Sequence, residues 1–245
     1  MATPPPELPC PDMSISSTLH SLSLSPDASK AKEVSELLLK CHAVDFHAEN
    51  AAKYELPKAP KAARAERDKA LKKLTDKLES LEKDSGDSDV QDAVLAVADF
   101  HLRALEFEAA DERLDQVLAM KKVSASAKVN ALLSKIRSRL WRRVPATDLL
   151  AECEALLQTG GDWDKRNRVK VYKSLSLALT RDYADAAPLL LSCVKTFSCE
   201  ECVGYEHFVK LTVVLNMLGL TRPEIKKDLV DSPEIISDIS PDVGG

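Results

Sequence analysis

The residues best suited to chemistry in this sequence are four potential metal ligands. Cys199 and Cys202 have the C-x-x-C spacing of a zinc knuckle, with Cys193 before them and His207 after them. Thiolates and imidazoles are ligands that zinc prefers, but a structural site usually takes four of them. Here the four would be spread over a helix end, a loop and the following helix. The spacing therefore predicts no metal site, and whether these residues bind a metal stays an open question.

No other pattern in the chain indicates catalysis. His42 and His47 are five residues apart beside Cys41, which is neither the HExxH spacing nor a pair on one helix face. The sequence contains no nucleophile elbow, no glycine loop of the kind that holds phosphates and no acidic pair flanked by cleft-forming loops. We therefore predict a protein that is not an enzyme and that uses no cofactor or small-molecule ligand.

Basic residues cluster at two places. The first cluster surrounds Trp141 and contains no acid; its members are Lys135, Arg137, Arg139, Arg142 and Arg143. Basic side chains around an aromatic residue could bind a nucleic-acid backbone or an acidic protein. Over two helical turns, however, these charges surround the helix, and the formal net charge of the chain is −5. We therefore predict a solvent-facing or partner-facing surface and no nucleic-acid ligand.

The second basic cluster follows the glycine pair at 160 and 161. Its members are Lys165, Arg166, Arg168 and Lys170. The preceding helix carries Glu152 and Glu154, so ion pairs within the chain are one interpretation and contact with a partner protein is the other. Our candidates for partner contact are seven basic residues: Lys165, Arg166, Arg168, Arg181, Arg137, Arg139 and Arg142.

The elements that must position these residues are predicted to be helices. The chain has 245 residues, of which 44% are hydrophobic and only 4% aromatic, with 7 glycines. This composition is typical of helices packed on helices, because sheets need more β-branched and aromatic residues. No apolar run approaches the roughly 20 residues that cross a bilayer. We expect a soluble, all-α protein without membrane contact, located in the cytoplasm and the nucleus.

Apolar spacing and turn residues divide the chain into three regions. Residues 1–28 are rich in proline and serine and are predicted to be a disordered tail. Residues 29–222 are predicted to be the helical domain, with a late start or a kink expected at Pro188. A short helix and a tail are expected at 223–245. The first predicted helix begins at 29 and ends before Pro57. The other predicted helices span about 61–83, 90–102, 107–121, 124–142, 146–158, 163–180, 183–197 and 202–220.

Two matching marks suggest a repeat. Phe107 is followed three residues later by Ala110, and Tyr183 by Ala186, each pair after an acidic residue. The marks are 76 residues apart, close to two tetratricopeptide-like units. Short connections between helices favour antiparallel neighbours, so we predict a tetratricopeptide-like α-solenoid of antiparallel helical hairpins.

One stretch resembles a known family strongly. It runs from Gly160 to Tyr172 and reads GGDWDKRNRVKVY, and further matches follow through Pro233 to Ile235. These residues are similar to the 26S proteasome non-ATPase regulatory subunit 6 family of lid subunits, over about residues 60–240. The resemblance implies a superhelix of hairpins that a PCI winged-helix module normally follows, and we expect that module to be absent because the chain stops at Gly245.

The resemblance also implies a function. Members of the family serve as non-catalytic scaffolds in the lid of the proteasome regulatory particle, so the expected partners are other lid or base subunits. The first subunit of the COP9 signalosome has a related architecture, but the sequence of residues 160–172 is less similar to it. A stand-alone peptide-binding adaptor is a further alternative, and a nucleic-acid binder that uses residues 135–143 is the last.

Overall fold

Every regular element is a helix in the part of the computed structural model that is described, residues 10–84, 86–158 and 163–227. The helices are α1 (Met13–Leu24), α2 (Ala28–Lys40), α3 (Val44–Asn50), α4 (Ala63–Asp84), α5 (Asp87–Arg103), α6 (Phe107–Ala119), α7 (Ala125–Trp141), α8 (Thr147–Gln158), α9 (Trp163–Leu179), α10 (Tyr183–Leu191), α11 (Tyr205–Gly219) and α12 (Arg222–Ile225). A 3₁₀ turn spans Val194–Thr196.

The chain divides into two compact units, residues 1–131 and 132–245. In the first unit α1 packs on α2, α4 on α5 and α5 on α6; in the second α8 packs on α9, α9 on α10 and α10 on α11. Within each unit these consecutive helices pack on one another, as expected when short connections join helices of similar length. The predicted fold class, an all-α helical repeat of tetratricopeptide-like type, is confirmed.

The same turn joins consecutive helices at four places. Its first residue has a positive φ of 59–64°, and the N–H of the next residue donates to the carbonyl five residues earlier at 2.8–3.0 Å. This is the Schellman ending of a helix, which usually uses glycine because other residues pay a steric cost at positive φ. The four positive-φ residues are His42, Leu105, Arg143 and Arg181, and the last three are spaced 38 residues apart.

The aromatic and alanine marks of the predicted repeat lie at the start of second helices. Phe107 begins α6 and Tyr183 begins α10, each directly after one of these turns. Phe107 is buried and Tyr183 half-buried, while Ala110 and Ala186 are both fully buried. The two alanines are buried at the same position of the second helix, so the sequence marks do identify equivalent positions of the repeat.

The prediction of a disordered tail over residues 1–28 is wrong for residues 13–24, which form α1. Its first turn is capped by Asp12, whose Oδ1 accepts a hydrogen bond from the Ser14 N–H at 2.9 Å. Ile15, Leu19 and Leu22 recur at helical spacing and are buried, because α1 packs on α2. The composition of residues 1–28 obscures this spacing, because the serine-rich helix α1 directly follows a proline-rich stretch. Residues 1–9 lie outside the described residues.

Three helix boundaries also differ from prediction. The first predicted helix is two helices, α2 and α3, because His42 adopts a positive φ between them. Helix α10 begins at Tyr183 and contains Pro188, so of the two alternatives predicted there the late start is wrong. The helix ends at Leu191 instead of 197. Helix α11 begins at Tyr205, three residues later than predicted. Of the region 223–245, only α12 and the residues through 227 are described.

Candidate protein-interaction surface

A groove in the second unit runs between α8 and α9. Its volume is about 520 Å³, and its lining residues are Glu154, Leu157, Gln158, Arg166, Val169 and Lys170. Leu157 and Val169 are buried and provide an apolar floor. Glu154 is held at 2.7 Å by the Nζ of Lys173, a neighbouring residue of α9. The charge remaining along the wall is therefore positive, which suits an apolar segment of a partner with acidic flanks.

Arg166 has a structural contact as well as an exposed side chain. Its Nη2 donates to the carbonyl oxygen of Leu157 at 3.0 Å, in the last turn of α8. That carbonyl has no partner within its own helix, and the negative end of the helix dipole also favours a cation there. The sequence predicted ion pairs between the acids of α8 and the basic cluster that follows residue 161. In the structure Glu154 of α8 pairs with Lys173, which lies on α9 but outside that cluster.

Trp163 is the residue of this surface that sequence reasoning missed. Its side chain is 62% exposed. It precedes Arg166 by three residues and Lys170 by seven, so helical geometry brings all three onto one face of α9. Exposed tryptophan and arginine residues carry much of the binding energy in protein interfaces. The signal in the sequence was the charged run directly after Trp163, which leaves it few apolar neighbours.

Arg168, another predicted partner-contact residue, is committed to a cluster within the chain. Its Nε and Nη2 donate to Glu201 Oε1 at 2.9 and 2.5 Å, and the Tyr172 hydroxyl donates to the same oxygen at 3.2 Å. Burial alone would lower the pKa of Arg168, but the hydrogen bond to Glu201 outweighs it and the pKa is raised. Burial raises the pKa of Tyr172. The cluster joins α9 to the turn before α11.

The three candidate arginines in and directly after α7 are also engaged within the chain. Arg139 Nη1 lies 2.5 Å from Asp148 Oδ1, and this hydrogen bond lowers the pKa of Asp148. Arg142 Nη2 donates to Ser138 Oγ at 3.1 Å, and Arg137 Nη2 donates to Ser134 Oγ at 3.2 Å. All three side chains are half-buried. The two remaining candidates differ: Lys165 is buried in α9, whereas Arg181 is exposed in the turn before α10.

The four potential metal ligands are not brought together. Cys193, Cys199 and Cys202 are buried, and the Cys193 thiol donates to the Asn167 carbonyl at 3.7 Å, while His207 is exposed on α11. A hydrogen bond with Cys202, together with burial, raises the pKa of Cys199. Among the described residues no group of three metal-binding side chains occurs.

Comparison with known proteins decides the family. A model of the family described as 26S proteasome subunit RPN7 matches residues 57–228, most of the chain and all of the groove. The chain belongs to the RPN7 family. The resemblance inferred from the sequence is thereby confirmed over this range.

Individual RPN7-family relatives agree with the assignment. The 26S proteasome regulatory subunit rpn7 of Schizosaccharomyces pombe is 30% identical over 155 residues, which cover 62% of this chain and 39% of that protein. The 26S proteasome non-ATPase regulatory subunit 6 homolog of Arabidopsis thaliana is 32% identical over 156 residues, covering 62% and 40%. The chain spans about two fifths of the length of the curated relatives it matches. None of the described helices is both long enough and apolar enough to cross a membrane.

Proposed function

We propose that this chain is a non-catalytic scaffold of the lid of the 26S proteasome regulatory particle and supports ubiquitin-dependent protein degradation through protein–protein contacts. The observation that carries the proposal is the RPN7 family match over residues 57–228. The relatives are named regulatory and non-ATPase subunits, which supports a role without chemistry of its own. The proposed partners are other lid or base subunits, in the cytoplasm and the nucleus, with no small molecule, membrane or nucleic acid.

The proposed contact is the face of α9 that contains Trp163, Arg166 and Lys170, together with the apolar floor of the adjacent groove. Trp163 supplies apolar area that becomes buried on binding, while the two cations favour an acidic partner and guide its approach. Arg181 is a second proposed contact because its side chain is exposed. The half-buried arginines at 137, 139, 142 and 168 contribute mainly through their hydrogen bonds within the chain.

A co-purification experiment tests the proposal. The tagged chain is expressed in cells, and the recovered proteins are measured by quantitative mass spectrometry. We expect lid and base subunits in stoichiometric amounts, and recovery at least about ten-fold lower for Trp163→Ala/Lys170→Glu, since hot-spot residues contribute about 2 kcal/mol each. The matched control is Leu24→Ala/Lys61→Glu, which removes an exposed apolar side chain and reverses an exposed charge in the first unit.

Other recoveries would point to other functions. Recovery of a single unrelated protein without proteasome subunits would indicate a peptide-binding adaptor. Recovery of COP9 signalosome subunits would indicate that the chain belongs to that complex instead. Equal loss of proteasome subunits in both double variants would contradict the assignment of the contact to α9. Recovery of RNA or DNA that falls steeply with added salt would favour nucleic-acid binding.

A further inference from the structure

Cys199 and Cys202 are the first and last residues of the turn that precedes α11. The Cys202 N–H donates to the Cys199 carbonyl oxygen at 3.1 Å, which closes a four-residue turn. Such a turn brings its first and last Cα atoms within about 7 Å, and disulfides join Cα atoms that are about 4.4–6.8 Å apart. The backbone of this turn therefore holds the two cysteines at a separation that a disulfide can bridge.

The side chains of this pair also contact each other. A side-chain hydrogen bond joins Cys199 to Cys202, and the two residues are 0% and 5% exposed. Cys193, six residues before Cys199, has a different surrounding, because its thiol donates to the Asn167 carbonyl oxygen at 3.7 Å. Two sulfurs in contact can share a two-electron oxidation, whereas a single buried thiol has no neighbouring sulfur with which to form a disulfide.

Glu201, inside the same turn, connects the pair to α9. The Cys199 thiol donates to Glu201 Oε1 at 3.5 Å, and the same oxygen accepts hydrogen bonds from Arg168 and Tyr172 of α9. These contacts fix the turn against a helix, so the two sulfurs are held close together. Groups that are already positioned react with each other far faster than the same groups free in solution.

We infer that Cys199 and Cys202 are an oxidative modification site, at which hydrogen peroxide converts the two thiols to an intramolecular disulfide. Cys202 reacts first because it is the more exposed of the two and because it is hydrogen-bonded to the Cys199 thiol. Its thiolate attacks one peroxide oxygen, the O–O bond breaks, and the departing hydroxide leaves as water with the thiol proton. The product of this step is a sulfenic acid at Cys202.

Cys199 completes the reaction. Its sulfur attacks the Cys202 sulfur, the S–O bond of the sulfenic acid breaks, and the hydroxyl group leaves as a second water with the Cys199 proton. One peroxide and two thiols thus give one disulfide and two waters. The raised pKa of Cys199 agrees with this second role, because Cys199 keeps its proton while Cys202 reacts. The inference does not depend on any contact with a proteasome subunit.

Peptide mass spectrometry tests the inference directly, because trypsin releases both cysteines in one peptide. Cleavage after Lys195 and Lys210 gives residues 196–210, which contain no other cysteine, whereas Cys193 falls in the preceding peptide. The complete folded chain is treated with hydrogen peroxide, and the remaining thiols are alkylated with iodoacetamide in guanidinium before digestion. We expect the 196–210 peptide to lose two hydrogens and take up no alkyl group, and dithiothreitol to restore both thiols.

Cys193 is the internal control, because it is also buried but has the Asn167 carbonyl as its hydrogen-bond partner. Its thiol should be lost at least about ten-fold more slowly than the disulfide forms, since a buried thiol that keeps its proton reacts poorly with peroxide. Equal rates for Cys193 and the pair would overturn the inference. Oxidation of the 196–210 peptide to sulfinic acid without the disulfide, or a disulfide to another peptide, would also overturn it.

Single-cysteine variants assign the order of the two steps. In Cys199→Ser, Cys202 should still form a sulfenic acid that dimedone traps, whereas in Cys202→Ser the remaining Cys199 thiol should be lost as slowly as that of Cys193. Dimedone labelling of Cys199 but not of Cys202 would contradict the assigned order. Circular dichroism shows whether each variant is folded, and the measurement on the unaltered chain decides whether the disulfide forms even if a variant does not fold.

Discussion

Gly219 at the end of α11 lies directly against the backbone of Tyr183 at the start of α10. A Cβ placed at residue 219 would stand 2.6 Å from the Tyr183 carbonyl carbon and 3.1 Å from the Ala184 nitrogen, with the Tyr183 carbonyl oxygen closer still. Backbone atoms cannot rotate away from such an intrusion as a flexible side chain can. The close approach of these two helices therefore depends on the absence of a side chain at position 219.

We expect Gly219→Ser to lower the free energy of unfolding by about 2 kcal/mol, the usual cost of overpacking a fixed contact. Elsewhere in a helix, replacing glycine usually stabilises. The matched control is Gly204→Ser, where the new Cβ meets nothing within 4 Å and a serine suits the N-cap of α11. Urea unfolding should show a change of only a few tenths of a kcal/mol for the control. Equal effects of the two substitutions would contradict the proposed contact.

The Schellman turns predict a stabilising substitution. Arg181 is exposed and has a φ of 64°, a conformation in which an L-residue with a Cβ is strained and glycine is not. Arg181→Gly should raise the free energy of unfolding by about 0.5–1 kcal/mol, after allowing for the greater freedom of glycine in the unfolded chain. Thr180→Gly, one residue earlier and also exposed, should instead lower it. Thermal unfolding of the two variants in parallel measures the sign of each effect.

The helices were predictable because apolar spacing and turn residues specify them locally. The predicted 107–121 and 163–180 helices end within two residues of α6 and α9. The left-handed turn at Leu105 was not predictable, because leucine does not favour positive φ, and the tolerance of histidine for positive φ does not by itself mark a turn at His42. His42 stacks on Phe100 and Leu105 is buried, and a local sequence pattern does not record such contacts.

The interaction surface was predictable only in part. Charge runs correctly located the basic residues, but a charge run does not reveal which cation already has a partner. Arg168 donates to Glu201, which is 33 residues away in the sequence. Arg166 donates to the Leu157 carbonyl at the end of α8 and keeps an exposed side chain. Trp163 was missed for a similar reason, because its residue type does not reveal that its side chain is exposed.

His47 should make stability depend on pH. Its imidazole is buried, with Nε2 2.8 Å from Ser35 Oγ, and burial lowers its pKa below the ordinary value of 6.5. The unfolded chain takes up a proton near pH 6.5 while the folded chain does not, so the contribution of His47 to stability is lost as pH falls from 6.5 toward the folded-state pKa. Removing the imidazole should flatten the pH dependence of unfolding in this window, by up to about 1.4 kcal/mol per pH unit.

His47→Gln is the variant that removes this titration, and urea unfolding between pH 7 and 5 is the measurement. His20→Gln changes an exposed histidine of α1 and should keep the slope of the unaltered chain. Identical slopes for the two variants would show that His47 is not the group responsible. A lower stability of His47→Gln at pH 7 is expected from lost packing and does not affect the comparison of slopes.

Cys153 should be nearly inert in the folded chain. It is fully buried on α8, and burial, followed by the charges of Glu152 and Glu154, raises its pKa to about 12. Since the thiolate is the reactive form, its alkylation at pH 8 should be about a thousand-fold slower than for an unperturbed thiol. Iodoacetamide labelling followed by mass spectrometry measures the rate, with the chain in guanidinium as the reference. Rapid labelling of Cys153 in the folded chain would contradict its burial.

Glu201 should contribute more to the free energy of unfolding than an exposed acid such as Glu206, which pairs with Lys210 on the surface of the second unit. Its Oε1 accepts hydrogen bonds from Arg168 and Tyr172, and both members of the ion pair are mostly shielded from solvent, with 24% and 18% of their side chains exposed. Glu201→Gln should therefore cost about 1.5–3 kcal/mol, the range for hydrogen bonds to charged groups. Glu206→Gln removes a pair with Lys210 that is exposed to solvent, so it should change the free energy of unfolding much less than Glu201→Gln does.

A double-mutant cycle separates the pair from its surroundings. If the cost of Glu201→Gln arises from an uncompensated Arg168 cation, then adding Arg168→Met should recover part of the lost stability, because a partly buried charge without its partner is worse than no charge. Urea unfolding of the two single variants and the double variant gives the coupling energy, expected to exceed about 1 kcal/mol. Additive effects would mean that Arg168 and Glu201 act independently, and the turn before α11 would then be held by its buried cysteines and apolar contacts instead.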